Sequence, residues 1–559
     1  MGSHGHMQTL RTMLGALFSC ICFASMASYP CHAEATAQVQ PDPTWQFSVP
    51  LEAGTERRAY LWIPPRCRRV RGVLFGLQNM LERDMFEDPA IRSALASADI
   101  AIVLISPGAW PDKSIGRQPS LDYKDNPTEA VNGVKMVLAG LAKESGYSEI
   151  KYAPLLITGH SAASPFIWGL VHAWPERIVA FLPFKGYPVP SVVNDIPTLK
   201  IEQEWAEWGP TWGEVWRKDI RQAAEKVHSA ERPLFGDAVD VGSGHFDWHH
   251  DLTEVLCMFI RKAAAERIPT EAPLNGSVTL RPVDPASGVL VDPASLGTKR
   301  FTAVPYSRWQ GDPRSAFWYF DQEMAETVNR YMLTRLEKKP EAIDFVVAGK
   351  PVPLDKNGFA AIEPEFLADG ITFRVTADAL SVSPSSNLFG GQALGHASTP
   401  IVYRVSSGAL RQVGPDTFQV AARSGGLTRQ GLPWEPWIMA YQPGDSEHRS
   451  ADRPAHILIA IRNTAGQSQT LTFEQPHDVA RGTKNLALKA STSSGLPPQF
   501  YVESGPAFVE GSTLRLLPIP PRTHLPVRII VSAYQWGRAG THPVQSAGPI
   551  TREFFILKH

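Results

Sequence analysis

Cysteine is scarce in this chain. Five occur in 559 residues, and Cys20, Cys22 and Cys31 crowd into the N-terminus, so that Cys67 and Cys257 alone remain for the folded part. Two cysteines cannot make a disulfide framework. Cys257, set among Leu256, Met258, Phe259 and Ile260, reads as a buried free thiol. Net charge is nearly absent as well. Lys plus Arg number 54 against 55 Asp plus Glu, a formal charge of -1, which removes the electrostatic case for nucleic acid or an anionic membrane surface. Neither a Cys-x-x-Cys pair nor a zincin-type histidine spacing occurs, and His249-His250 alone is too little for a metal site. No Gly-rich phosphate or dinucleotide loop is found either. Neither metal nor cofactor is therefore expected.

Long apolar runs are confined to the start of the chain. Met1 to Met7 reads as an expression-tag remnant or as the natural beginning, Arg11 supplies a basic residue, and Met13 to Met26 is apolar but short for a bilayer span. Cys31-His32-Ala33 resembles a small-x-Ala cleavage site. Residues 1–33 are accordingly expected to be a signal peptide, with a single membrane anchor as the alternative. The expected location is secreted or periplasmic in a bacterium, with no stable membrane insertion after processing.

The length calls for several domains. Trp45–Leu51 and Arg58–Ile63 alternate like a hairpin, and Gly72–Leu77 is a continuous apolar run. Helix and strand then alternate: Pro89–Ala98 helix, Ile100–Ser106 strand, Asn126–Ser145 helix, Pro154–Thr158 strand, Ser164–His172 helix, Ile178–Phe184 strand, Leu199–Ile201 strand, Gly213–Val227 helix, Ala238–Val241 strand, Trp248–Ala265 helix. Such alternation predicts a mostly parallel sheet covered by helices, with chemistry beyond the carboxyl ends of its strands.

At one such end stands Gly159-His160-Ser161-Ala162-Ala163. A serine hydroxyl needs exposure, a base and backbone N–H donors before it can act as a nucleophile. A strand, a tight Gly-x-Ser-x-small turn and a helix supply the exposure and the donors, with small residues at 159 and 163 letting strand and helix pass closely. Ser161 is the candidate nucleophile and the Ala162 N–H a candidate oxyanion donor. Gly242-Ser243-Gly244-His245-Phe246 follows the last strand, and its glycines leave His245 free to act as base. His160 reads as structural, and His249 and His250 as surface or capping groups of the following helix.

The order of these elements and the two motifs together resemble the α/β-hydrolase superfamily over roughly residues 45–268. Alanine at 163 replaces the family's usual glycine. The resemblance implies a serine nucleophile, a late histidine, and an acid between them after the strand Leu199–Ile201. Ala206 stands where the family most often has aspartate, so a glutamate is expected instead: Glu204 first, Glu207 as the alternate, Glu202 behind both. The second oxyanion donor is expected from the loop after Leu77, at the N–H of Asn79 or Met80. Trp205, Trp208 and Trp212 alternate with Glu, Gly and Pro in a loop. They are candidate substrate contacts, for a sugar ring or an aromatic acyl group.

Past Pro269 the alternation stops. A helix over Arg314–Leu336 carries Phe317-Trp318-Tyr319-Phe320, and Ile343–Val347, Ile371–Val375, Ile401–Val405, Phe418–Ala422, Trp437–Tyr441 and Ile457–Ile461 read as strands of a sandwich. From about Leu471 the segments Ala490-Ser491-Thr492-Ser493-Ser494-Gly495 and Val531-Ser532-Ala533-Tyr534-Gln535 resemble the immunoglobulin-like repeats appended to secreted bacterial proteins. The expected division is a signal at 1–33, an α/β-hydrolase domain at 34–269, a helix plus β-rich domain at 270–470, and a self-standing immunoglobulin-like sandwich at 471–559. The expected function is an exported serine esterase with a Ser-His-Glu triad, acting on an ester and by analogy on decorated polysaccharide. A serine peptidase and a non-catalytic binding protein on the same scaffold stay open.

Overall fold

The computed structural model describes residues 44–51, 57–106, 108, 127–186, 195–204, 234–354, 360–382, 393–421 and 436–558. Eight strands form one sheet: β1 (Phe47–Pro50), β2 (Arg58–Trp62), β3 (Gly72–Leu77), β4 (Ile100–Ser106), β5 (Leu155–His160), β6 (Ile178–Phe184), β7 (Thr198–Gln203) and β8 (Phe235–Asp240). Their order is β1-β2-β4-β3-β5-β6-β7-β8. β1, β2 and β4 pair antiparallel, and from β4 to β8 every pairing is parallel. The parallel strands are apolar on both faces because helices cover both. Every residue of β3, β4 and β6 is buried. Helices α1 (Glu82–Glu87) and α2 (Pro89–Ser97) follow β3, α3 (Pro127–Ser145) and α4 (Ser164–Ala173) pack on each other, and α2 packs on the helix Thr253–Arg267. This is the mostly parallel, helix-covered sheet that the strand and helix alternation predicts. The expected helix 213–227 and the expected signal segment lie outside the described residues.

The chain beyond residue 268 departs from expectation in its first element. Phe317–Tyr319 is a strand, paired antiparallel with Val289–Val291, and the helix begins only at Gln322. The aromatic run favours an extended, half-buried backbone. Asp321 then caps the helix by accepting the Met324 N–H at 2.9 Å. These aromatics lie against β8, where the Tyr319 hydroxyl donates to the Asp237 carbonyl at 2.6 Å. A further strand is also displaced, running over Ala451–Ile457 rather than 457–461.

The middle β-rich region has its own core, which includes Phe345, Phe373, Phe418, Ile438 and Ala455. Residues 471–558 form antiparallel sheets with one short parallel pairing. They do not stand apart: Phe473, Leu486, Leu514, Ile529 and Phe554 belong to the same continuous core as the eight-stranded layer. Arg522 pairs with Glu149 at 2.8 Å, Arg528 with Glu144 at 3.1 Å, and the Gly505 N–H donates to the Trp45 carbonyl at 3.0 Å. Truncation after residue 470 would strip this cover from β1 and the end of α3. The shortened chain is expected to lose soluble yield, or to unfold at a temperature lower by about 5 °C or more. Thermal unfolding of the two chains, followed by circular dichroism, checks this, and an unchanged midpoint would refute it.

Candidate active site

At the end of β5 the backbone turns sharply. Ser161 has φ of +48°, a conformation that costs a non-glycine residue energy and persists only where its surroundings impose it. A short 3₁₀ turn over Ser161–Ala163 leads into α4. The small residues at 159 and 163 are required by distance: a side chain on Gly159 would begin 3.1 Å from the Ala163 Cβ and 3.0 Å from Ile167. The serine is half-exposed at the carboxyl edge of the sheet, and among the described residues its hydroxyl and the Ala162 N–H carry no hydrogen bond.

His160 reaches across to the histidine loop. Its Nε2–H donates to the His245 carbonyl at 2.8 Å, and its Nδ1 accepts from the Asn79 amide at 3.1 Å. Burial first, and the neighbouring His245 second, hold His160 well below the ordinary histidine range, so it is neutral in that tautomer. The two rings lie 4.6 Å apart. Through His160 the structure brings the Ser161 turn and the His245 loop together.

Beneath the turn lies the buried carboxylate of Glu82. Its two oxygens accept the His160 N–H at 2.6 Å and the Asn79 N–H at 2.7 Å. One carboxylate thus ties the β3 loop to the β5 turn. Burial raises it to about 7, against the opposing pull of those N–H groups. The Asn79 N–H is consumed by this bond, and the Met80 N–H is drawn to the same carboxylate, so both loop candidates for the second oxyanion donor face Glu82. The Met80 side chain packs with Phe246, Trp437 and Met439, so the β-rich region forms a wall of the site.

Glu204 does not meet the imidazole of His245. Its Oε1 accepts from Arg449 at 2.6 Å and its Oε2 from the Gly242 N–H at 2.7 Å. An arginine about 245 residues further along the chain takes the place that the histidine was expected to fill, a partner that sequence reading had no means to find. Glu202 is buried against Lys200. Glu207, Trp205, Trp208 and Trp212 lie outside the described residues. Among the described residues no carboxylate contacts the His245 ring. Burial, and secondarily the charge of Lys185, lower that ring to about 3, which leaves it neutral.

Lys185 is the largest addition to the site. It follows β6 at φ of +42° and is fully buried. Its Nζ donates to the Asp247 carbonyl at 2.6 Å, the Ser243 hydroxyl at 2.9 Å and the Gly244 carbonyl at 3.1 Å, and pairs with Asp240 at 2.8 Å. One ammonium therefore holds the loop on both sides of His245. His249, expected at the surface, is buried here instead. It contacts Asp240 at 3.0 Å and Asp247 on its other nitrogen. Burial alone would lower it, but Asp247 and Asp240 outweigh that and raise it to about 10. His250, by contrast, is exposed and bonds Asp88 at 2.8 Å. Tyr331 adds a hydroxyl to Asp240. The polar atoms of Asp247, His249 and Asp452 cluster within 4.8 Å. Lys185, His249 and Arg404 lie against the carboxylates of Asp240, Asp247 and Asp84. Gly242, at φ of +86°, must be glycine, since a Cβ there would meet the Ser450 carbonyl at 2.7 Å.

No family model matches the sequence, and no curated protein matches it. Solved structures similar to part of the chain include a dienelactone hydrolase from Anabaena variabilis. It is 14% identical, with 41% of this chain and all of that one covered at a TM-score of 0.29. Esterase 2 of Thermogutta terrifontis is 12% identical over 40% and 94% of the two chains, at 0.28. An S-formylglutathione hydrolase from Agrobacterium tumefaciens is 13% identical over 39% and 93%, at 0.27.

Proposed function

We propose that this chain is an exported serine hydrolase that cleaves carboxylic esters. The observation that carries the proposal is the strained, half-exposed Ser161 at the carboxyl end of β5, joined through His160 to the loop that bears His245. In this reading Ser161 attacks the ester carbonyl, and His245 takes its proton and returns it to the leaving alcohol. The Ala162 N–H receives the oxyanion. Among the described residues no helix is long and apolar enough to cross a membrane. Export rests on residues 1–33, and the tryptophans of the 205–216 segment are the basis for a polysaccharide-borne ester. The 471–558 sheets are read as an immunoglobulin-like module.

With Glu204 bound to Arg449, Glu207 is the glutamate left to orient the imidazole. Glu207→Gln is therefore expected to lower kcat by about a hundredfold or more. Glu204→Gln should act mainly on stability, because it breaks a part-buried ion pair. Steady-state kinetics and thermal unfolding of both variants decide the matter. The reverse pattern would assign the acid to Glu204. A panel of p-nitrophenyl esters and peptide anilides separates the esterase from a peptidase.

One observation favours a second reading, a binding protein on a hydrolase scaffold. The His245 imidazole lacks a carboxylate partner among the described residues. Labelling with a fluorophosphonate distinguishes the two, since a hydrolase is modified at Ser161 and a binding protein is not.

A further inference from the structure

At the amino end of the sheet, away from Ser161, four segments converge on a cleft of about 560 Å³. Lys135 comes from α3, Lys151 and Tyr152 from the 3₁₀ turn before β5, Trp174 to Arg177 from the α4–β6 junction, and Arg267 from the end of the helix Thr253–Arg267. The linker at residues 277–280 closes one side. We infer that this cleft binds a small polyanion, a ligand bearing a phosphate, a sulfate or several carboxylates.

The lining carries four cationic side chains and a single carboxylate, Glu176. Among the described residues none of the four forms an ion pair. Arg177 spends its Nη2 on the carbonyls of Ala153, at 2.6 Å, and Lys151, at 3.4 Å, and Arg267 spends its Nη1 on the Asp195 carbonyl at 2.7 Å. Both residues are more than nine-tenths buried, and among the described residues the Nε–H of each has no acceptor and is shut off from solvent. Two guanidiniums thus line the cleft with no ion-pair partner among the described residues, an arrangement suited to an oxyanion. Burial lowers both to about 10, and the nearby Glu176 and Asp195 do not offset it. A bound anion would supply the missing counter-charge.

Trp174 holds two of the cations in place without neutralising them. Arg177 lies 4.5 Å and the Lys135 ammonium 5.0 Å from its ring. Lys135 and Lys151 are exposed, so an anion can enter from solvent. The cleft is independent of the chemistry at Ser161. β5 runs six residues from its amino end to His160, which separates the two sites by about 20 Å.

The test is a titration of the full chain at low ionic strength with inorganic phosphate, sulfate and citrate, each read by calorimetry against chloride. Saturable binding of at least one anion is expected, with citrate separating a carboxylate preference from a tetrahedral one. The double variant Lys135→Gln, Lys151→Gln alters only exposed side chains and should weaken binding about tenfold or more, while Glu176→Gln should tighten it. Ser161→Ala should leave binding unchanged whatever it does to hydrolysis, which keeps this inference separable from the proposed function. Absence of saturable binding by all three anions, or unaltered affinity in the double lysine variant, would overturn it.

Discussion

Ser161→Ala is expected to lower ester turnover by about a thousandfold or more while leaving the fold intact. Both halves of that expectation come from the geometry. The hydroxyl is half-exposed, and among the described residues it makes no hydrogen bond, so its removal orphans no partner. Alanine at φ of +48° bears the same backbone strain as serine, because both carry a Cβ. What is lost is the one group placed to attack. The check is a steady-state assay on a p-nitrophenyl ester, with thermal unfolding of the same samples. A variant that unfolds at the wild-type temperature and still turns over at near the wild-type rate would end the mechanism.

The sheet was legible because its strands are locally unambiguous. Gly72–Leu77, Ile100–Ser106 and Ile178–Phe184 are apolar runs bounded by turns, and the structure reproduces those limits. The Ser161 turn was legible for a related reason, since small residues must occupy 159 and 163 where strand and helix touch. The Phe317–Phe320 run misled because it sits just ahead of a true helix, and only the Asp321 cap marks the boundary. The supporting cast of the site was not legible at all. Arg449 on Glu204 and Asp452 on Gly244 span more than two hundred positions. Glu82 had a local signal, a carboxylate three residues beyond Asn79, but nothing in that spacing says that the same group also grips the His160 N–H. His249 was misplaced because a histidine beside a helix start reads as surface until Asp240 and Asp247 are seen to enclose it.

Lys185 carries the other large expected effect. Lys185→Met keeps the apolar stem and removes the ammonium, which leaves Asp240 buried without its partner and frees the carbonyls of Gly244 and Asp247. Breaking a buried pair by removing one member costs about 3–5 kcal/mol, part of which His249 and Tyr331 can offset through their own bonds to Asp240. A large fall in unfolding temperature is therefore expected. A loss of packing elsewhere could do as much, so the decisive readout is the pH profile. Burial first and the Lys185 charge second depress His245, and removal of that charge lets its pKa rise. A base is active in its neutral form, so the acid limb of kcat/KM, which reports the free enzyme, should move to higher pH in the variant. Ser243→Ala is the control. It removes one hydrogen bond of the same ammonium but no charge, and should leave the limb where it is. If Lys185→Met lowers stability without moving the acid limb, Lys185 is a structural pin alone. If Ser243→Ala moves the limb equally, the loop geometry rather than the charge sets the imidazole.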